Sequence, residues 1–141
     1  MEENRIRFLE MIQGIINRMA SNSFFLKGWT ITLLVGLFVL SEKNAHFSFY
    51  FIAFIPIILF WFLDSYYLQL ERKYRVLYHQ ATELPMKKIM FKLLPPKSNR
   101  REKTCFYQSL LSITEYGFYV PMSLLVILIM IFTSHGISMY L

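Results

Sequence analysis

The chain has 141 residues, the length of one small domain, and 55% of them are hydrophobic and 18% aromatic. This composition, with a mean hydropathy of +0.40, excludes an ordinary soluble domain and predicts an integral membrane protein. The formal net charge of +6 would favour nucleic acid as the partner of a soluble domain, but membrane proteins collect basic residues in their cytoplasmic loops, so no specific nucleic-acid partner is expected.

The first 23 residues predict an amphipathic cytosolic helix. Phe8, Ile12, Ile15 and Met19 recur at intervals of three and four residues, which is the spacing of one helix face, and polar residues lie between them. Continuing this stripe places Asn22 in the apolar seam, where a polar residue fixes the register of two packed helices. Three glutamates interrupt the segment, so it lacks the apolar core of a cleaved signal peptide.

Two apolar segments follow, and they predict a pair of antiparallel spans. Residues 24–40 form the first span, and the polar turn SEKNAH is so short that the second span must return beside the first. The second apolar segment, FSFYFIAFIPIILFWFL, runs without a Gly or Pro break into DSYYLQLERKYRVLYHQ. Residues 46–80 therefore predict one helix that leaves the bilayer and continues into the cytosol.

The cytosolic part of this second helix has an apolar seam and a polar face. The seam has the alternating spacing of three and four residues that two helices show when they pack at a shallow angle. It comprises Tyr67, Leu70, Tyr74 and Leu77. The N-terminal helix and a second copy of the chain are both candidates to cover it. The residues expected to face a cytosolic protein partner are Glu71, Arg72, Arg75, Tyr78 and His79.

Residues 81–115 predict a basic cytosolic connection that contains three prolines. Within it, MKKIMFKLL has the pattern of a short amphipathic helix. Its lysines, Lys87, Lys88 and Lys92, are expected to contact anionic lipid headgroups, because basic residues backed by apolar ones bind an anionic leaflet. Residues 116–134 predict the third span, and residues 135–141 form a short outer tail.

The distribution of basic residues predicts the orientation of the chain. Four Lys or Arg residues precede or begin the first span, one lies in the turn, ten lie between the second and third spans, and none follows the third. The positive-inside rule then places the N-terminus in the cytoplasm and the C-terminus in the periplasm, with the chain in a bacterial inner membrane. Three spans also require the two termini to lie on opposite sides of the membrane. The number of spans therefore agrees with the orientation that the basic residues predict.

Lys27 and Asp64 are the charged residues at the cytoplasmic ends of the first and second spans. Because these spans are antiparallel neighbours, the two side chains are expected at similar depth, where pairing would relieve the desolvation that each charge suffers alone. The sequence therefore predicts an ion pair at the membrane interface. The alternative is that each side chain extends separately to the headgroups.

The sequence predicts a non-enzymatic protein with no catalytic, cofactor or metal site. It contains no pairing of nucleophile and base, no glycine-rich phosphate loop and no cluster of metal ligands. Arg72 and His79 have an R-x6-H spacing that is similar to the RNA-cleaving pair of HEPN domains. The pattern is short and the cytosolic portion is too small for the bundle around such a pair, so a surface histidine is the favoured interpretation.

Two stretches of the chain carry a distinctive joint pattern. The first, Arg18 to Leu33, reads RMAxNSFxLKGWxITL, and the second, Phe60 to Tyr78, reads FWxLDxYYLxxERxYRxLY. This pattern resembles a family of small bacterial inner-membrane proteins that is associated with anti-phage defence loci and has TIR-like partners. The plan is also loosely similar to the two-span membrane effectors of nucleotide-signalling immunity, from which the third span is a departure.

These features predict an all-α membrane protein with three transmembrane helices, an N-terminal amphipathic helix and a second span extended into a cytosolic helix. The expected function, guided by the resemblance, is that of a membrane effector or anchor. It would self-assemble as a homo-oligomer and perturb the membrane when a cytosolic partner or signal engages it. The alternatives are a passive scaffold for a soluble defence enzyme and a membrane-tethered HEPN-like ribonuclease.

Overall fold

A computed structural model describes residues 2–40, 48–83 and 92–138, with the backbone alone for residues 48–50 and 133–138. The described chain forms four helices: α1 (Glu2–Leu40), α2 (Ser48–Glu83), α3 (Phe106–Leu110) and α4 (Ile113–Ser138). Helices α1, α2 and α4 each contain a segment long and apolar enough to cross a membrane. The prediction of an all-α protein with three membrane-spanning helices is confirmed.

The N-terminal amphipathic segment and the first span are one continuous helix. Helix α1 has 39 residues and α2 has 36, so at 1.5 Å per residue they are roughly 58 and 54 Å long, about twice the hydrocarbon thickness of a bilayer. No proline interrupts α1, and the one inside α2, Pro56, lies in its membrane part. Residues 2–23 of α1 and 65–83 of α2 therefore form a two-helix stalk that continues directly from the membrane helices.

Two separate apolar clusters hold the helices together. The membrane cluster joins all three long helices through Leu34, Ala53, Ile57, Tyr119 and Val126. Inside a bilayer the surrounding lipid is as apolar as these side chains, so close packing rather than escape from water stabilises this cluster. The stalk cluster lies outside the three apolar segments, and for a cluster that is buried away from water each large aliphatic side chain contributes about 1.5–3 kcal/mol.

The stalk cluster shows which face of α1 meets α2. Its buried members are Phe8, Ile12, Ile16 and Ala81, and Tyr74, Leu77 and Tyr78 pack against them. The N-terminal helix thus covers the seam of α2, one of the two candidates that the sequence left open. The buried residues of α1 in this contact are spaced four residues apart. Ile16 is therefore buried, whereas Ile15 and Met19 are only half-buried.

The remaining seam residues lie nearer the membrane and are less enclosed. Tyr67 and Leu70 of α2 are half-buried, as is Asn22 of α1. The stalk is therefore packed most tightly at its distal end, and its apolar contact loosens toward the bilayer.

The described part of the connection is fixed by polar contacts rather than by regular structure. Asn99 and Thr104 close a loop in which the backbone N–H of Asn99 donates to Thr104 Oγ1 at 2.7 Å. Trp61 Nε1 donates to the carbonyl of Leu110 at 3.1 Å, and Gln69 Nε2 donates to the carbonyl of Thr104 at 2.9 Å. These bonds attach α3 and the loop before it to one side of α2, near the point where this helix leaves the membrane.

The predicted short helix MKKIMFKLL lies largely outside the described residues, as do Lys87 and Lys88. Its last three residues are described, and they are not helical. Lys92 is exposed there, which is compatible with a headgroup contact. Helix α4 begins at Ile113, three residues before the predicted start of the third span, and this earlier start brings Glu115 into the helix.

Candidate functional site

A buried charge cluster lies where the stalk meets the membrane helices, between the two apolar clusters. Lys27 of α1 contacts Asp64 Oδ2 of α2, the pairing that the sequence predicts. Its Nζ also lies 3.2 Å from Glu115 Oε1 of α4 and 3.1 Å from Ser23 Oγ, one turn earlier on α1. The ammonium group has three N–H donors and three oxygen partners, so one side chain joins all three membrane helices.

Both carboxylates of the charge cluster are enclosed by protein. The side chains of Asp64 and Glu115 are 0% exposed, whereas that of Lys27 is 17% exposed. The Tyr119 hydroxyl donates to Asp64 Oδ2 at 3.1 Å, and its ring stacks on Trp61 with centroids 6.0 Å apart. The Lys27 Nζ lies 5.9 Å from the ring centroid of Tyr119, within the range of a cation–π interaction.

The charges of the cluster do not balance. One ammonium faces two carboxylates, so the ionised cluster carries an excess of one negative charge. Asp64 Oδ1 and Glu115 Oε2 are buried without a hydrogen-bond partner among the described residues. Buried carboxylates are costly unless paired, so the attraction of Lys27 for both of them is essential to the arrangement.

Glu115 and Tyr119 are the members of the charge cluster that sequence reasoning missed. The third span was expected to begin at residue 116, which assigned Glu115 to the cytosolic connection. The sequence did carry a signal for Glu115: it stands at the stalk-side end of the third apolar segment, as Lys27 and Asp64 stand at the stalk-side ends of the first two. Tyr119 follows it by four residues on the same helix face.

Arg72, which the sequence predicts to face a cytosolic partner, forms hydrogen bonds within the chain. Its guanidinium group donates to the carbonyls of Lys103 and Gln108 at 3.2 and 3.0 Å and to Ser112 Oγ at 2.8 Å. The α3 segment therefore occupies the side of α2 on which Arg72 lies, which the seam pattern did not reveal.

The other predicted partner-facing residues divide between the interior and the surface. Tyr78 packs against the stalk cluster, and Glu71 is largely buried and pairs with Arg75 at 2.7 Å. Arg75 and His79 are exposed, and with Gln13 of α1 they border a groove of about 260 Å³. This groove leaves Arg75 and His79 open to solvent.

The two members of the R-x6-H spacing line different grooves. Arg72 borders a groove on the α3 side of α2, whereas His79 borders the groove on the α1 side. Within residues 2–40, 48–83 and 92–138 no three His, Cys, Asp or Glu residues are placed to hold a metal ion.

Comparison with known proteins gave no match to a family model, to a curated protein or to a solved structure. The resemblance in the sequence patterns thus stays a prediction, and the function must be argued from the residues of the chain itself.

Proposed function

We propose that this protein is a non-enzymatic membrane effector or anchor of bacterial anti-phage defence. A cytosolic protein partner or signal engages the stalk, and the membrane helices respond by self-assembling and perturbing the bilayer. The observation that carries this proposal is the position of the charge cluster: α1 and α2 run unbroken from the stalk into the membrane and are joined by Lys27 and Asp64 at the point of entry. The defence context comes from the sequence resemblance alone.

The charge cluster provides a means for the stalk to act on the membrane helices. A shift of α1 along α2 would separate the Lys27 ammonium from two buried carboxylates, and a buried charge without its partner costs several kcal/mol. Intermediate positions are therefore unfavourable, and the contact favours discrete arrangements over gradual sliding. A partner that binds one arrangement of the stalk more tightly would shift the spans toward it.

A strip of small residues on α1 supports self-assembly. Gly28, Thr32 and Gly36 are spaced four residues apart on one helix face, and all three are exposed. A Cβ atom added to either glycine would meet nothing within 4 Å, so none of the described helices covers the strip at these two positions. Small residues at this spacing let membrane helices approach closely, which is how many of them associate.

The orientation proposed for the chain follows from its basic residues. The N-terminus and stalk lie in the cytoplasm, and the C-terminus lies in the periplasm of a bacterial inner membrane. The three apolar helices are compatible with a membrane location. In this orientation the groove beside Arg75 and His79 is open to a cytosolic partner.

Substitution of the small-residue strip is expected to abolish self-association without disturbing the monomer. The double variant Gly28→Leu/Gly36→Leu places larger side chains on the strip, at two positions where an added Cβ atom meets no described atom within 4 Å. Cross-linking and mass measurement in nanodiscs are expected to show monomer where the wild type forms oligomers. Gly117→Leu on α4 is the matched control, because Gly117 is also exposed and unobstructed. Equal loss in both variants would contradict this role for the strip.

The effector activity is tested by membrane potential. Cells that express the chain together with the product of the adjacent gene are expected to depolarise when the system is triggered, and cells with Gly28→Leu/Gly36→Leu are expected to keep their potential. A potential that persists in the triggered wild type would refute the effector and favour the passive scaffold.

A further inference from the structure

A groove on the α3 side of α2, distinct from the charge cluster, is lined by both basic and apolar residues. Its volume is about 540 Å³, and it is lined by Arg72, Lys103, Tyr107, Gln108, Leu111, Ser112 and Ile113. Arg72 forms its floor, held by three hydrogen bonds to the connection and to the residue before α4.

The positive charge of Arg72 is not neutralised by these bonds. Its acceptors are two backbone carbonyls and a hydroxyl, and among the described residues no carboxylate lies within 4.0 Å of it. Lys103 adds a second, exposed cation at the rim of the groove. Lys103 has a φ of 54°, a left-handed conformation that is uncommon for a residue other than glycine, and its carbonyl is one of the acceptors of Arg72.

The surrounding loop is also basic. Residues 97–103 contain four Lys or Arg residues and a single acidic one, Glu102, which is exposed. The groove therefore lies in a region of positive potential that attracts anions.

The groove lies near the end of the stalk that adjoins the apolar segments, which is where the headgroup layer is expected. Arg72 follows Asp64 by eight residues, about 12 Å of helical rise, and helical side chains tilt toward the N-terminus, which on α2 is the membrane side. Its guanidinium group accordingly reaches Ser112, directly before α4. The groove thus stands just above the level of Glu115, where the apolar core of the third span begins.

The membrane side of the groove is apolar and uncovered. Leu111 is 70% exposed and Ile113 is 88% exposed, while Tyr107, at 75%, supplies an aromatic ring of the kind found at membrane interfaces. Contact of these apolar side chains with water is unfavourable, whereas contact with the acyl chains of lipids is favourable.

We infer that this groove binds an anionic phospholipid of the leaflet on the stalk side, with Arg72 and Lys103 contacting the phosphate group and Leu111 and Ile113 contacting the acyl chains. A two-part ligand of this kind matches both halves of the groove, whereas a free phosphate ion would use only the basic half. The described lining of the groove includes neither Lys92 nor a residue of the small-residue strip on α1, so the site does not depend on the proposed effector activity.

The test is lipid titration of the full-length protein, followed by native mass spectrometry. The probes are phosphatidylglycerol, zwitterionic phosphatidylcholine and inorganic phosphate. Phosphatidylglycerol is expected to bind more tightly than phosphatidylcholine. Lys103→Gln is expected to weaken phosphatidylglycerol binding about five-fold, the fold-change that corresponds to about 1 kcal/mol per charge near an anionic surface.

Two variants control for general charge and for the acyl half of the site. Lys97→Gln removes an exposed charge from the same loop, outside the groove, and is expected to change binding less than two-fold. Leu111→Asn is expected to weaken phosphatidylglycerol binding while leaving the binding of inorganic phosphate unchanged. Because Lys103 and Leu111 are both exposed, neither substitution is expected to disturb the fold.

Three results would overturn the inference. Equal effects of Lys103→Gln and Lys97→Gln would show attraction to the whole loop rather than binding in the groove. Displacement of phosphatidylglycerol by millimolar inorganic phosphate, with no effect of Leu111→Asn, would identify a free-phosphate site. Equal binding of phosphatidylglycerol and phosphatidylcholine would show that the basic half of the groove does not select for an anionic lipid.

Discussion

Lys27→Met is expected to lower the free energy of unfolding by about 3–5 kcal/mol, the cost of leaving buried charges without their partner. The substitution keeps the length of the side chain but removes the ammonium group that contacts Asp64, Glu115 and Ser23. Both carboxylates are fully buried, so water cannot replace the lost contacts without opening the helix bundle. Unfolding in nanodiscs, followed by steric trapping or by hydrogen exchange, measures the change.

Removing all the charges of the cluster together is expected to restore most of this loss. The triple variant Lys27→Met/Asp64→Asn/Glu115→Gln keeps the approximate shape of the cluster and removes each buried charge together with its partner, which avoids the cost of an unpaired buried charge. Lys92→Met removes an exposed lysine and serves as the control, expected to change stability by less than about 0.5 kcal/mol. If Lys27→Met behaves like Lys92→Met, the cluster does not hold the three helices together.

Ile12→Ala is expected to loosen the stalk while leaving the membrane helices in place. Ile12 is 0% exposed in the stalk cluster, and truncation of a buried Ile to Ala typically costs about 2–5 kcal/mol. The stalk and the membrane helices have separate apolar clusters, so the loss is expected to fall on the stalk. Hydrogen exchange resolved by residue is expected to rise in the distal parts of α1 and α2 and to stay low in α4.

Ile6→Ala is the matched control for this variant. Ile6 stands on the same helix with the same side chain, but 56% of it is exposed, so its truncation removes little buried area. Increased exchange throughout α4 in Ile12→Ala would contradict independent packing of the stalk. If the proposed effector function is correct, Ile12→Ala is also expected to weaken the response to the triggering partner, since a loosened stalk transmits displacement poorly.

The periodicity of the chain was enough to predict the three long helices and their order, but not α3 or the residue at which α4 begins. Three apolar runs specified three membrane segments, and the short turn between the first two required that they be antiparallel neighbours. The pairing of Lys27 with Asp64 followed from that geometry, because two oppositely charged residues at the same end of a hairpin lie at similar depth. The face of α1 that covers α2 was also predictable, to within a small rotation that buries Ile16.

Only the tertiary structure decided what lies against the other side of α2. A helical period shows which residues share a face, but it does not show which distant segment covers that face. The segment that binds Arg72 is held by loop hydrogen bonds around Asn99 and Thr104, which have no periodic signature. Glu115 joined the charge cluster for the same reason, because the irregular connection sets where α4 begins and how it meets the hairpin. The hairpin was thus determined locally by the sequence, whereas the cluster of three charges arises only when the third helix docks against it.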